Sequence, residues 1–258
     1  MPRTATVESL CHYPVKGLSG QTLDHVALTA GRGFPLDRVF ALARPDSGFD
    51  PEAPRALPKG RFVVLARDPA LALLDTDYDA GSGVLSITHE GQTYRFDLGT
   101  PSGRDGAAAL VAAALGYDAR DLPSVQSGGD HRFTDVSVLS EQMMHAISLI
   151  NLDSVAAFSD RVGTAVSPAR FRGNVLFSGL PPFSELEMIG QTGRIGSVTV
   201  RLVQRTRRCP ATEVNLATGT RDLDVPRLLN EHYGHSDLGV YALVEGAGEI
   251  RPGDPLVF

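Results

Sequence analysis

Cysteine is scarce in this chain: two residues in 258, Cys11 and Cys209. Two thiols exclude the disulfide framework of a small secreted domain, a four-cysteine zinc ribbon, and an iron–sulfur cluster held by this chain alone. Long apolar runs are also missing. The longest, Ala107–Leu115, falls far short of a membrane span, and the opening MPRTATVESL lacks the apolar stretch of a secretion signal. Positive charge does not dominate either. Lys and Arg number 24 against 30 Asp and Glu, a formal net charge of -6, so no broad surface for nucleic acid or an anionic membrane is expected. These absences describe a cytoplasmic protein with no membrane and no nucleic acid as partner. Familiar catalytic patterns are lacking too. There is no HExxH and no GxSxG, and Gly31-Arg32-Gly33 lacks the βαβ setting of a dinucleotide fingerprint. His232 and His235 flank Gly234, a helix-ending glycine, and are expected at a solvated helix end rather than in a zinc site.

What is present is ordinary in bulk: 42% hydrophobic and 21% charged residues, enough for one large or two small domains. The first hundred residues read as short strands: Val7 to Val15, then Leu23 to Leu28, Val39–Leu42, Phe62–Leu65 and Leu71–Leu74. Leu85 and Ile87, then Tyr94 and Phe96, alternate on either side of Glu90-Gly91, a hairpin signal. Asp105 is expected to cap an alanine-rich helix ending at Gly116. The polar stretch from Leu122 to Arg132 reads as the linker between two halves. Ser140 is expected to cap a helix carrying Met143, Ile147 and Ile150 at helical spacing. Phe171 to Phe177 reads as a strand, Asp224 as the cap of a helix ending near Gly234, and Val240–Val244 as a late strand.

The stretch Ser197–Thr220 organises the rest. Val198, Val200 and Leu202 alternate with polar residues, the period of a half-buried strand. The alternation stops at Arg205, Arg207 and Arg208, which lead into Cys209-Pro210. A residue before proline is pushed to extended backbone, so Cys209 belongs in a loop just past the strand. Guanidinium groups gathered in space would favour its thiolate, the form that attacks electrophiles or binds a soft metal, and would hold an anion through forked hydrogen bonds. A plainer alternative stays open on these residues alone: a small core thiol beside a solvated basic edge. Arg172 can clamp a phosphate or carboxylate, and Asn174 offers donors and acceptors to a heterocycle. Lys16 and Arg38, each at a loop beside a short strand, are two further candidate cations. Cys11, within an apolar strand, reads as core.

Together these pieces resemble the MOSC family, named for the C-terminal domain of the molybdenum-cofactor sulfurase, joined to its N-terminal β-barrel companion. Tyr13-Pro14-Val15-Lys16-Gly17, Asp37-Arg38, Leu139-Ser140-Glu141, Phe171-Arg172-Gly173-Asn174, Arg208-Cys209-Pro210-Ala211-Thr212 with Thr218-Gly219, and Gly253-Asp254-Pro255 occur in the family's order over nearly the whole chain. The resemblance implies a mostly β, α+β fold: an N-terminal β-barrel-like domain over residues 1–122 and a MOSC β-barrel domain over 123–258. It implies the molybdenum cofactor (Mo-molybdopterin), with Cys209 as metal ligand and catalytic residue. Lys16, Arg38, Arg172, Asn174, Arg208 and Thr212 would bind the pterin and its phosphate. The implied activity is reduction of N-hydroxylated small molecules such as amidoximes, hydroxylamines and N-hydroxylated bases. Electrons would come from a separate redox protein. The alternative is a module that carries the cofactor, or a persulfide, and passes it on. Gly17 departs from the family pattern, which often has a hydroxyl residue there, and the resemblance takes in no ferredoxin domain of the kind some bacterial relatives carry.

Overall fold

The computed structural model describes residues 3–258. Seven strands close on one another as a barrel: β1 (Thr4–His12), β2 (Ile147–Asn151), β3 (Val175–Ser178), β4 (Thr192–Ile195), β5 (Val198–Arg207), β6 (Asp237–Gly246) and β7 (Pro255–Val257). Around the barrel the order is β3-β2-β6-β5-β4-β7-β1, and β1 pairs back onto β3. Four α-helices accompany the strands: α1 (Pro101–Ala114), α2 (Glu141–Met144), α3 (Leu152–Val162) and α4 (Val225–Tyr233). Among these barrel strands only β2 and β3 run parallel, and α3 makes the crossover between them. The fold is α+β, with strands predominating.

Alternation builds the barrel core. Val198, Val200 and Leu202 of β5 meet Val240, Ala242 and Val244 of β6 inside it, with Ile147 and Leu149 from β2. Each such buried valine, leucine or isoleucine contributes roughly 1.5–3 kcal/mol. On β1 the pairing with β3 slips between Val7 and Ser9, so Leu10 joins Ala5 and Val7 on the core side.

A second body packs beside the barrel. Phe40–Ala43 pairs with Ser124–Ser127, and Asp75–Asp79, Val84–His89 and Gln92–Asp97 form an antiparallel sheet. Glu90 and Gly91, between the last two strands, both have positive φ, as a two-residue primed turn requires. Helix α1 lays Ala107, Ala108 and Val111 over Leu85 and Ile87. A third cluster, under α3 and α4, holds Phe158, Val225, Leu229 and Leu238.

Several local expectations differ from the structure. Helix α1 starts at Pro101, capped by Thr100, whose hydroxyl accepts from Gly103 N at 3.1 Å; Asp105 is interior. Ser140 does cap a helix, through Met143 N, but α2 is one turn long. Ile147 and Ile150 lie in β2, whose five residues are all buried. A strand buried on both faces shows no alternation, so its apolar residues mimic helical spacing. Pro69–Leu73 is a 3-10 turn rather than a strand, and Pro168–Phe171 is another, so β3 begins only at Val175. Strand pairing crosses the 122/123 division at three places: β1 completes the barrel of the later half, Ser124–Ser127 pairs with Phe40–Ala43, and Val26–Leu28 pairs with Gly248–Ile250. Among the described residues no helix is long and apolar enough to cross a membrane.

Candidate functional site

Ser148 of β2 and Tyr241 of β6 are cross-strand partners. Their neighbours Ile147, Leu149, Val240 and Ala242 fill the barrel, so these two face the other way. Gln204 of β5 pairs with Tyr241 after a slip between Leu202 and Gln204. This polar row floors a cavity of about 290 Å³ on the outside of the barrel wall. The second body supplies the facing side with Lys16, Gly17, Arg38 and Lys59.

Cys209, Lys16, Arg38, Arg172, Asn174, Arg208 and Thr212 all line this one cavity. They arrive from loops at strand ends. Cys209 is half-buried, extended at φ -130° and ψ 171°, and followed by the 3-10 turn Pro210–Glu213. Thr212 pins it from behind: both its N (3.0 Å) and its Oγ1 (2.9 Å) donate to the Cys209 carbonyl. The loop position two residues past β5 agrees with the proline argument.

The arginines divide. Arg205 turns away, is exposed, and its Nε donates to the Leu186 carbonyl at 2.9 Å. Arg207 lines the cavity but is exposed. Arg208 is buried and spends its donors on carbonyls: Nε to Leu238 at 2.7 Å, Nη1 to Phe171 at 3.0 Å, and Nη2 to Leu238 again. Burial pulls it down to about 10. Gly239, at φ +77°, makes room; a Cβ there would run into the Leu149 carbonyl and Arg208 Nη2. Asn174 is equally engaged. Its Oδ1 accepts from Ser148 N at 3.0 Å and its Nδ2 donates to the Cys11 carbonyl at 3.1 Å, stitching β2 to β1.

Four further cations line the cavity with Arg207 and Arg208 and bear on its charge: Lys16, Lys59, Arg38 and Arg172. Lys16 Nζ donates to the Phe133 carbonyl at 2.8 Å and to Asp135. Burial lowers its affinity for a proton. Lys59 lies 3.4 Å from Asp135 on the other side. Burial alone would pull Lys59 down, but the Asp135 carboxylate and the Cys209 sulfur outweigh it and hold the ammonium above its ordinary value. Burial would raise Asp135, yet Lys16 and Lys59 keep its carboxyl well below the usual range. Arg38 pairs with Asp37, which more than offsets its burial. Arg172 has no carboxylate. Its Nη1 donates to the Leu18 carbonyl at 2.6 Å, and its Nη2 is buried without a partner. Burial, aided by the like charge of Arg38, brings it down to about 10. Thr206, another residue lining the cavity, also has a buried side-chain oxygen, Oγ1, with no partner.

Sequence reading missed Lys59, Asp135, Tyr13 and Tyr241. Lys59 follows the proline-rich stretch Asp46–Pro58, and Asp135 follows the linker read over Leu122–Arg132; neither has a local pattern, because only the fold brings them to Cys209. Tyr13 stands inside the YPVKG motif with no assigned task. Gly17 is explained by the fold: φ is +88°, and a Cβ would touch the Val63 carbonyl at 3.0 Å, so a hydroxyl residue would be strained there.

The donor set fits an anionic, metal-bearing ligand. One soft sulfur stands at one part of the wall, while cations, one with an unmatched donor, stand around the rest. Residues 127–257 match the family model of the MOSC domain, and residues 4–121 match that of the MOSC N-terminal beta barrel domain. Mitochondrial amidoxime-reducing component 1 of Xenopus laevis is 32% identical over 136 residues, which is 48% of this chain and 39% of that protein. Mitochondrial amidoxime reducing component 2 of Bos taurus is 21% identical over 299 aligned positions, covering 99% of this chain and 84% of that protein. The first match therefore spans well under two thirds of that relative's length. The crystal structure of the YuaD protein from Bacillus subtilis superposes with a TM-score of 0.46 at 12% identity, over 100% of this chain and 96% of the other.

Proposed function

The chain belongs to the MOSC domain family, with the family's N-terminal β-barrel domain ahead of it, and from that premise we propose that it binds the molybdenum cofactor and reduces N-hydroxylated compounds with electrons from a separate redox protein. The observation that carries the reading is the convergence of one thiol, Cys209, with the cations Lys16, Lys59, Arg38 and Arg172 on a single cavity. An anionic ligand there would be held by charge-assisted hydrogen bonds, each contributing roughly 1.5–3 kcal/mol.

When bound, the cofactor supplies oxygen-atom transfer coupled to a two-electron change at the metal. The chain's own residues hold and orient it. Cys209 offers the sulfur ligand from a loop fixed by Thr212. Lys16, Arg38 and Arg172 bind the pterin phosphate, and Lys59 keeps a positive charge beside the sulfur. Arg208 and Asn174 act from the wall, by fixing the Phe171 and Leu238 carbonyls and the β1–β2 contact. Tyr241, pushed up by burial, stays a neutral hydrogen-bond donor over the working range. The names of the two relatives, amidoxime-reducing components, support the substrate class.

The test is direct. Protein made in a cofactor-competent host is expected to carry stoichiometric molybdenum, and Cys209→Ser to carry none while remaining folded. Loaded wild type should reduce an amidoxime with a small artificial electron donor and leave NADH untouched. Full molybdenum in the serine variant would overturn the ligand assignment. Loaded protein that reduces no N-hydroxylated compound would instead favour a cofactor carrier.

A further inference from the structure

Tyr13 is the first residue past β1 and is buried. Its backbone is fixed at both ends: N donates to Asp37 Oδ1 at 2.8 Å, and the carbonyl accepts from Arg38 N at 2.7 Å. Two guanidinium groups lie against its ring, Arg38 at 4.8 Å and Arg172 at 4.2 Å from the centroid. They come from segments 134 residues apart, and Arg38 Nη2 donates to the Arg172 carbonyl at 3.2 Å.

Three features of this group work against the free protein's stability. Both arginines are non-glycine residues in the left-handed region, each at φ 51°. Such backbone costs on the order of 1 kcal/mol or more and persists where the surroundings impose it. Two like charges are also held together, and Asp37 is in contact with only one of them. Finally, Arg172 Nη2 is buried without a partner. One ligand relieves the second of these: an oxyanion taken between the two guanidinium groups.

We propose that Tyr13 is a positioning residue whose ring is the platform for this pair, holding Arg38 and Arg172 in place as a ready clamp for a single oxyanion, such as a phosphate, in the cavity. The inference deepens the proposed function and rests on the cavity being a site for a phosphate-bearing ligand. The ring acts through the arginines. A planar guanidinium lies flat on an aromatic face and gains attraction from it, so the ring offsets part of the repulsion between the two charges. An aliphatic side chain of similar size would fill the space without that attraction. A lysine in place of Arg172 would keep the charge but lose the stacked plane and the fork.

The test uses the full chain made in a host that lacks the cofactor, with inorganic phosphate titrated by calorimetry and thermal melts as the check on folding. Wild type is expected to bind phosphate with an affinity that falls as salt rises. Tyr13→Phe keeps the ring and should bind within about threefold of wild type, whereas Tyr13→Leu should bind at least about tenfold more weakly at a comparable melting temperature. Arg172→Lys should also lose about tenfold. Phosphate affinity in Tyr13→Leu equal to wild type overturns the proposal, as does wild type that binds no phosphate. If the leucine variant does not fold, Arg172→Lys decides, and wild-type affinity in that variant overturns the stacked clamp. Failure of the wider reading would look different: molybdenum would be absent from protein made in a competent host, while the phosphate series kept its pattern.

Discussion

Lys16 and Arg172 carry the same charge into the cavity but differ in what holds them. Lys16 is matched: its ammonium satisfies the Phe133 carbonyl and Asp135. Arg172 is only partly matched, with one nitrogen on the Leu18 carbonyl, one on nothing, and a like charge beside it. Replacing them should therefore separate stability from binding. Lys16→Ala leaves a buried carbonyl and a carboxylate short of a donor, and is expected to cost roughly 1–3 kcal/mol of stability besides weakening cofactor retention. Arg172→Gln removes a repulsion and an orphan donor. Its cofactor-free form should stay within ~1 kcal/mol of wild type while cofactor content falls about tenfold under limiting supply. Urea unfolding and pterin content, measured on the same preparations, check both. The sequence alone predicts the two alanine or neutral variants to behave alike, because both residues read as loop cations; burial is what distinguishes them.

At the level of elements, what could be read depended on whether a segment had one wet face. β5, with Val198, Val200 and Leu202 inward, was legible from its alternation, and so were the Glu90-Gly91 hairpin and the helix that Asp224 caps. β2 was not, because all five residues are buried and the period disappears. The turn at Phe171-Arg172 was not legible either: a left-handed arginine has no propensity signal and exists because the packed cavity wall imposes it. The loop Ser184–Glu187 gives this scale its own prediction. Glu185 is buried and accepts from Asn151 Nδ2 at 3.0 Å and from Ser154 Oγ at 2.9 and 3.0 Å, with no cation in contact. Burial pushes its carboxyl above the ordinary 4.5 despite those bonds. An acid raised on folding favours the protonated native state, so its penalty is fully present above the raised value and is lost as pH falls through it. Glu185→Gln keeps an acceptor without the charge. The variant should match or exceed wild type in stability at pH 8, and its advantage should shrink as the pH is lowered toward the ordinary carboxyl range. Urea midpoints at several pH values read this, and an advantage that grows on acidification would refute it.

At the level of the whole molecule, the cavity exists because the two halves of the sequence interlock. β1 belongs to the first half in sequence and to the second half in space. It pairs with β3 on one side and β7 on the other, and puts Ala5, Val7 and Leu10 into the barrel core. It then runs directly into Tyr13 and Lys16, so the strand that closes the barrel also delivers one wall of the site. Without it, β3 and β7 would each present an unpaired edge and the barrel core would open to water. The cations Lys16, Arg38 and Lys59 would be gone as well, leaving Cys209 with only the barrel side of its cavity. We therefore expect residues 123–258 expressed alone to lack a cooperative unfolding transition and to carry no molybdenum in a competent host. A chain restoring residues 1–122, in cis or as a co-expressed segment, should recover both. Calorimetry and metal analysis of the isolated segment make the measurement. A sharp transition with bound molybdenum would show that the barrel closes without β1 and that the site needs only its later half.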